Sequence, residues 1–276
     1  MTYGNAITAG IIYALTEIFG LSGSGHLALV SMLFDLHITD LNLLFKAFLE
    51  LGIMIALILA YRKDLAAMIR DTAGLTGFTR VPQRKGERFP EARLLFMLVM
   101  ATLPLLIMLP FRRAYFSLWT STTFVGTMFL LNGAVLYVCE RMLAGKKGLG
   151  RMQILDALII GICQAVAVIP GLSRLSLTVT AGTAEGFQKN YAIRFGMLLG
   201  IPAMFGSFIL SLADAALVGI DTSLMTVYLS GAAAALVTGF LAVFAFRRMV
   251  NRRGYANLAY YSLVIGVLSI ILSLIF

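Results

Sequence analysis

Apolar residues run through this chain in long stretches separated by short polar joints, the pattern of a protein that crosses a bilayer. Stretches near 41–61, 92–111, 118–138, 191–213, 224–246 and 257–276 approach the ~20 residues a span requires, and predict six full transmembrane helices. Two further apolar regions, 1–40 and 152–190, are each broken in the middle. Residues 10–26 read GIIYALTEIFGLSGSGH and residues 161–177 read GICQAVAVIPGLSRLSL. Aligned 151 positions apart (Gly10 to Gly161), Gly10, Ile11, Ala14, Ile18, Gly20, Leu21 and Ser22 face identical residues. Each copy passes from an apolar stretch into Gly-Leu-Ser and then into a second, short apolar stretch. Repeated, interrupted apolar segments of this kind point to a binding site near the middle of a membrane protein.

Composition sharpens this reading. Hydrophobic residues make up 60% of the 276 and charged residues 13%, against about half and a quarter in soluble domains. The net charge of +9 is confined to joints between spans, so it marks membrane orientation and not a nucleic-acid partner. No Lys or Arg precedes Lys46. The N-terminus shows no basic leader or cleavage site and is not read as a signal peptide. Cys139 and Cys163 lie in or beside apolar segments without a CxxC or metal-ligand pattern, and read as packing residues.

Charge placement also gives a topology. Loop 62–93 carries Arg62, Lys63, Arg70, Arg80, Arg84, Lys85, Arg88 and Arg93, with an irregular middle expected at Pro82, Gly86 and Pro90. Segments 140–151 and 247–253 are also basic, and all three belong inside. Loop 214–223 has Asp214 and Asp221 and no basic residue, so it belongs outside; Arg112 and Arg113 are out of step. Residues 1–40 then begin and end outside, and 152–190 begin and end inside. The expected fold is an all-α integral membrane protein, one polytopic domain over 1–276. Six full helices join two re-entrant helical hairpins in an inverted-topology repeat, with repeat one about 1–138, repeat two about 152–276 and both termini outside. Two ordinary spans in place of each hairpin is the competing reading, disfavoured by short halves such as 24–34.

The broken segments carry the chemistry. The first holds Glu17 and His26 on either side of Ser22, Gly23, Ser24 and Gly25. The second holds Gly171, Ser173, Arg174 and Ser176, with Thr178 and Thr180 beyond. A Gly/Ser turn before a short helix exposes backbone N–H groups at the positive end of the helix dipole. With Arg174 as a bidentate donor this suits a phosphate or pyrophosphate group. Glu17 has the hard oxygens that hold a divalent cation, Mg²⁺ or Ca²⁺. His26 has the chemistry of a proton shuttle or a nucleophile. Plainer readings compete. Glu17 reads equally as an ion-pair partner of Arg174 or Lys46, and His26 as an interfacial polar residue. The glycines read as close helix packing, and Ser173, Ser176, Thr178 and Thr180 as hydrogen bonds across helices. Glu50 and Lys46, four apart, read as a buried pair.

On these residues the chain resembles the undecaprenyl-pyrophosphate phosphatase family of bacterial membranes. One family signature is a Glu-bearing helix, a Ser-rich turn, Gly and His, here Tyr13 to His26. The other is Pro-Gly-x-Ser-Arg-Ser-Gly, here Pro170 to Ser176. Weaker similarity covers Phe45–Gly52 and Phe195–Gly206. The resemblance implies two re-entrant hairpins in an inverted repeat, a bacterial inner-membrane location, and hydrolysis of the lipid carrier's pyrophosphate to its monophosphate for cell-wall synthesis. It implies Glu17, His26 and Arg174 as catalytic residues, with Glu17 on a divalent metal. Ser22, Ser24, Gly25, Gly171, Ser173, Arg174 and Ser176 would lie at the phosphates. The family pattern has Glu where this chain has Tyr13, Ser where it has Gly23, an acid where it has Lys46, and Ser-Gly where it has Leu175-Ser176. Losing a carboxylate would weaken the metal site. Two functions stay open: a phosphatase acting on a polyprenyl pyrophosphate, and a carrier that moves a lipid phosphate without cleaving it. The partners expected are that lipid and the surrounding membrane lipids, with a homodimer left open.

Overall fold

The computed structural model describes residues 1–33, 40–75, 89–218 and 222–275. Among these the regular structure is helical, with one isolated β-bridge between Lys147 and Phe187. Helix α1 (Tyr3–Ile18) turns through Gly20 into α2 (Gly23–Leu33). Helix α3 (Asp40–Ala60) bends by 73° into α4 (Arg62–Leu75). Then come α5 (Pro90–Thr102), α6 (Arg112–Ser117) and α7 (Thr122–Arg141). The second half holds α8 (Ile154–Val166), α9 (Arg174–Ala184), α10 (Lys189–Val218), α11 (Met225–Arg253) and α12 (Ala256–Ile275).

Among the described residues, five helical segments are long and apolar enough to cross a membrane: Pro90–Met108, Thr122–Arg141, Lys189–Leu217, Met225–Arg252 and Ala256–Leu274. The bent pair of α3 and α4 makes a sixth if taken as one span. The five fall on five of the six stretches expected from the sequence, and Leu44–Ala60 of the bent pair lies on the remaining one. Segment 62–93 is where the structure departs from the expectation of a loop. Its first fourteen residues are the helix α4; residues 76–88, with Arg80, Pro82, Arg84, Lys85, Gly86 and Arg88, lie outside the described residues, as does Asp221. Helix α4 turns Met68 and Asp71 inward and leaves Arg62, Lys63 and Arg70 exposed. Asp71 accepts the Glu91 N–H at the start of α5, and Arg194 of α10 pairs with both Asp64 and Glu91. The many basic residues mask this helix in the sequence, although they only occupy its solvated face. The out-of-step Arg112 also has a partner: it is ion-paired with Asp214.

The two broken segments fold alike. Helices α2 and α9 are each 11 residues long, and both begin and end 151 positions apart. Gly20 and Gly171 both take positive φ, +73° and +95°, the left-handed region that glycine enters without a Cβ clash. The Ser22 hydroxyl accepts the Gly25 N–H, and Ser173 accepts the Ser176 N–H, the same cap at matched positions.

Small residues set the helix approaches. α1 lies against α11 where Gly10 meets the Gly231 carbonyl, and α8 lies against α5 where Gly161 meets the Ala101 carbonyl. The packing role considered for the glycines is thus real at this repeated pair. Gly161→Leu is expected to push α8 off α5 and destabilise the protein by about 1–3 kcal/mol, read as a lower thermal-unfolding midpoint in detergent. Gly148→Ala, where an added Cβ meets nothing within 4 Å, serves as the control and should leave the midpoint unchanged.

Candidate active site

The two turns meet. The Gly171 N–H donates to the Ser22 hydroxyl at 3.1 Å. A Cβ on Gly25 would stand 2.8 Å from Gly171 Cα, so the turns touch through glycine. Asn132 of α7 clasps the junction. Its amide nitrogen donates to the Gly20 carbonyl at 3.0 Å and to the Ser262 hydroxyl at 3.3 Å. Its oxygen accepts the Ser173 N–H at 3.0 Å and the Ser176 hydroxyl at 2.5 Å. Every donor and acceptor position of this buried amide is filled.

Beside the junction the ionisable residues converge. Arg174, first residue of α9, donates through Nε (3.0 Å) and one terminal nitrogen (2.7 Å) to Oε1 of Glu17. Oε2 of Glu17 accepts the Gly23 N–H at 3.1 Å. Glu17 therefore occupies the donors an anionic ligand would seek: an N–H at the start of α2 and a guanidinium at the start of α9. The same Arg174 nitrogen stands 3.9 Å from Glu50 Oε1. Glu50 in turn accepts from Lys46 at 2.8 Å and from the Tyr13 hydroxyl at 3.3 Å. Both plainer expectations, the Glu17–Arg174 pair and the Lys46–Glu50 pair, are present.

These residues line a cavity of about 420 Å³, the size of a small-ligand site. Tyr13, Glu17, Ser24, Lys46, Glu50 and Arg174 form its polar end. It extends past apolar side chains such as Leu105, Leu109 and Phe205 to Arg112. Pro104 and Pro202 shape these walls. After Leu103 the helix tightens into a 3₁₀ stretch, Leu103–Met108, and Pro202 lies inside α10, where it cannot donate to the ladder.

The structure separates the sequence-derived candidates. Glu17, Ser24 and Arg174 line the cavity. Ser22, Gly25, Gly171, Ser173 and Ser176 build the junction behind it, with Ser22, Ser173 and Ser176 buried. His26 is buried and does not line the cavity. Its Nδ1 lies 2.9 Å from the Ser22 carbonyl and its Nε2 3.0 Å from the Tyr261 hydroxyl, with the Tyr261 ring stacked on it. A carbonyl can only accept, so Nδ1 carries the proton and, in the neutral ring, Nε2 accepts from Tyr261. Thr178 and Thr180 donate to carbonyls of their own helix, Arg174 and Ser176. Gly23 is tightly enclosed: a Cβ would lie 2.8 Å from Glu17 Oε2 and 3.0 Å from the Tyr13 carbonyl, so a side chain there requires the Glu17 carboxylate to shift. Sequence reasoning missed Asn132 and Tyr261 altogether.

A resident divalent cation finds a poor donor set. Among the described residues no three His, Cys, Asp or Glu come together. The two carboxylates of the cavity are already neutralised, Glu17 by Arg174 and Glu50 by Lys46.

Fold and site define a multi-pass membrane protein with a cluster of paired ionisable residues at the polar end of a partly apolar cavity. The chain belongs to the family described as Bacitracin resistance protein BacA, matched over residues 6–268. It is 32% identical over 276 residues to a protein of Methanosphaera stadtmanae named undecaprenyl-diphosphatase, covering 98% of each chain. Proteins of the same name from Methanobrevibacter smithii and Carboxydothermus hydrogenoformans are 32% and 29% identical. The first comparison covers 95% of each chain. The second covers 97% of this chain and 96% of the relative.

Proposed function

We propose that this chain is a membrane phosphatase that hydrolyses undecaprenyl pyrophosphate to the monophosphate, recycling the lipid carrier of cell-wall synthesis. The observation that carries this is Arg174 in the cavity, aimed with the Gly23 N–H at one buried carboxylate that a phosphoryl group can displace. Of the two functions left open by the sequence, the relatives' shared name supports hydrolysis over carriage.

The chemistry follows from the donors. The pyrophosphate enters the polar end and its prenyl tail lies along the apolar wall. Arg174 and Ser24 take the terminal phosphoryl oxygens, and the guanidinium leaves Glu17 as it does so. Freed of that partner, the Glu17 carboxylate accepts a proton from a water molecule. The water oxygen bonds to the terminal phosphorus, the bridging P–O bond breaks, and the lipid monophosphate leaves with the bridging oxygen. Glu17 and Arg174 are the catalytic residues. Ser22, Gly25, Gly171, Ser173 and Ser176 hold the two turns in place. His26 acts through the Ser22 turn, as a positioning residue. The expected divalent cation is given no step, because no three metal-ligating side chains come together among the described residues.

The architecture we infer has α1–α2 and α8–α9 as re-entrant hairpins of an inverted repeat, repeat one about 1–138 and repeat two about 152–276. Helices of 11 residues reach roughly 16 Å at a rise of ~1.5 Å per residue, about half of the ~30 Å hydrocarbon core. Their matched bounds and caps support the repeat. The family supports a plasma-membrane location, and the charge distribution supports termini, and a cavity end at Arg112 and Asp214, that face outside.

The test is phosphate release from undecaprenyl pyrophosphate by the purified protein in detergent. Release is expected, and His26→Ala is expected to lower the maximal rate and not the substrate affinity. No release, with chelator or with added Mg²⁺ or Ca²⁺, would overturn the proposal.

A further inference from the structure

The ionisable residues at the polar end of the cavity balance without a metal. Glu17 and Glu50 carry the negative charge; Arg174 and Lys46 carry the positive charge. Arg112, at the far end, is paired with Asp214. A pyrophosphate group entering this neutral cluster brings two or more negative charges of its own. A divalent cation entering with it would have to compete with Arg174 and Lys46 for the same two carboxylates.

Lys46 is placed to supply that compensation. Its ammonium is 2.8 Å from Glu50 Oε1, 3.5 Å from the Ser207 hydroxyl and 5.6 Å from the Trp119 ring centroid. An ammonium has three N–H donors; two have acceptors here, and no third acceptor stands among the described residues. The side chain is 10% exposed, and what it is exposed to is the cavity. Its partner Glu50 is held by Tyr13 as well, and Glu50 Oε2 has no hydrogen-bond partner among the described residues. When Lys46 swings from Glu50 to a phosphoryl oxygen, the Tyr13 hydroxyl still donates to Glu50 Oε1.

We propose that Lys46 is a pyrophosphate-binding residue, and that the head group binds in this chain through Lys46 and Arg174 without a resident divalent metal. This rests on the reading of the cavity as a pyrophosphate-lipid site. Arg174 grips through its planar fork from α9, and Lys46 adds a point charge from α3, both cations lying within 4 Å of Glu50 Oε1. The two cations take over the neutralisation that a bound metal would otherwise provide.

The experiment uses full-length protein washed with chelator, and farnesyl diphosphate as the probe. Binding is followed by calorimetry, and phosphate release from undecaprenyl pyrophosphate is measured in the same buffer, each with and without added Mg²⁺. The wild type is expected to bind and to release phosphate in chelator, with little change when Mg²⁺ is added. Lys46→Gln, which removes the charge and keeps a polar group of similar reach, is expected to weaken binding by about ten- to a hundredfold, the size of one charge-assisted hydrogen bond. Lys46→Arg should retain most of the affinity. Lys46→Glu, which places a third carboxylate beside Glu17 and Glu50, should bind the probe only when Mg²⁺ is added; if that variant does not fold, Lys46→Gln carries the test. Binding by the wild type only with Mg²⁺, accompanied by Mg²⁺-dependent release, would overturn the inference and leave the phosphatase standing. Binding in chelator that Lys46→Gln leaves intact would overturn the role of Lys46. Neither binding nor release under any condition would overturn both.

Discussion

Arg174→Gln is expected to abolish phosphate release, lowering the turnover rate by about 10²–10³-fold or more, the loss that follows removal of one preorganised donor to developing charge. The side chain donates two N–H groups to one oxygen of the cavity carboxylate whose other oxygen holds an α2 N–H, so it is the group a phosphoryl oxygen must recruit. The single substitution has a second consequence. It strands the Glu17 carboxylate, which is 8% exposed, and breaking a buried ion pair from one side costs about 3–5 kcal/mol. A lost activity could then reflect an unfolded protein. The double variant Glu17→Gln/Arg174→Gln isolates the folding effect, because two neutral amides leave no stranded charge, while its activity reports the loss of both catalytic groups together. Its thermal midpoint should return close to that of the wild type while phosphate release stays absent. Arg174→Lys should fall between, keeping the charge and losing the fork. Near-normal turnover by the folded double variant would remove Arg174 from the chemistry.

How far the sequence reaches can be judged from particular residues. The two turns are legible because Gly20-Leu21-Ser22 and Gly171-Leu172-Ser173 stand at matched positions, and each needs the same left-handed glycine and the same hydroxyl cap. The Lys46–Glu50 pair is legible from its spacing of four, which places both on one helix face. Asn132 is not, since nothing local distinguishes an amide that serves turns 112 and 41 residues away from one that faces a neighbouring span. The same holds for Tyr261, whose contact with His26 spans 235 residues. His26 itself was legible as unusual but not as hidden. Its position one residue beyond the turn's glycine leaves its direction undetermined, and it is the packing of α12 on α7 and of His26 on Phe129 that places it behind the turn. Helix α4 was misread for the opposite reason. Composition spoke louder than periodicity, although Leu65, Met68 and Asp71 already follow a helical face.

Asn132→Leu carries the second large effect, and it tests whether the junction of the two turns is a device of the enzyme or a mere consequence of packing. Leucine has the branched shape of asparagine, is bulkier, and offers no hydrogen bond. The Gly20 carbonyl and the Ser173 N–H, both buried, would lose their partners, at about 1–3 kcal/mol for each group left unsatisfied. Ser176 loses less, because its hydroxyl also reaches the Ser173 carbonyl at 3.0 Å. The expected result is a lower thermal midpoint together with a lower rate. The turns set the separation of Glu17 from Arg174, and a misplacement of about 1 Å can cost a hundredfold. Asn132 does not line the cavity, so the loss should fall on kcat and leave the binding of farnesyl diphosphate nearly unchanged. Asn132→Asp discriminates further. It keeps an oxygen for Ser173 and Ser176, and turns a second oxygen on the Gly20 carbonyl in place of the N–H. If the clasp acts through the second turn alone, the aspartate variant retains activity; if both turns must be held, it fails as the leucine variant does. A leucine variant with wild-type midpoint and turnover would reduce the clasp to incidental contact, and with it the idea that the two turns are held at a working distance.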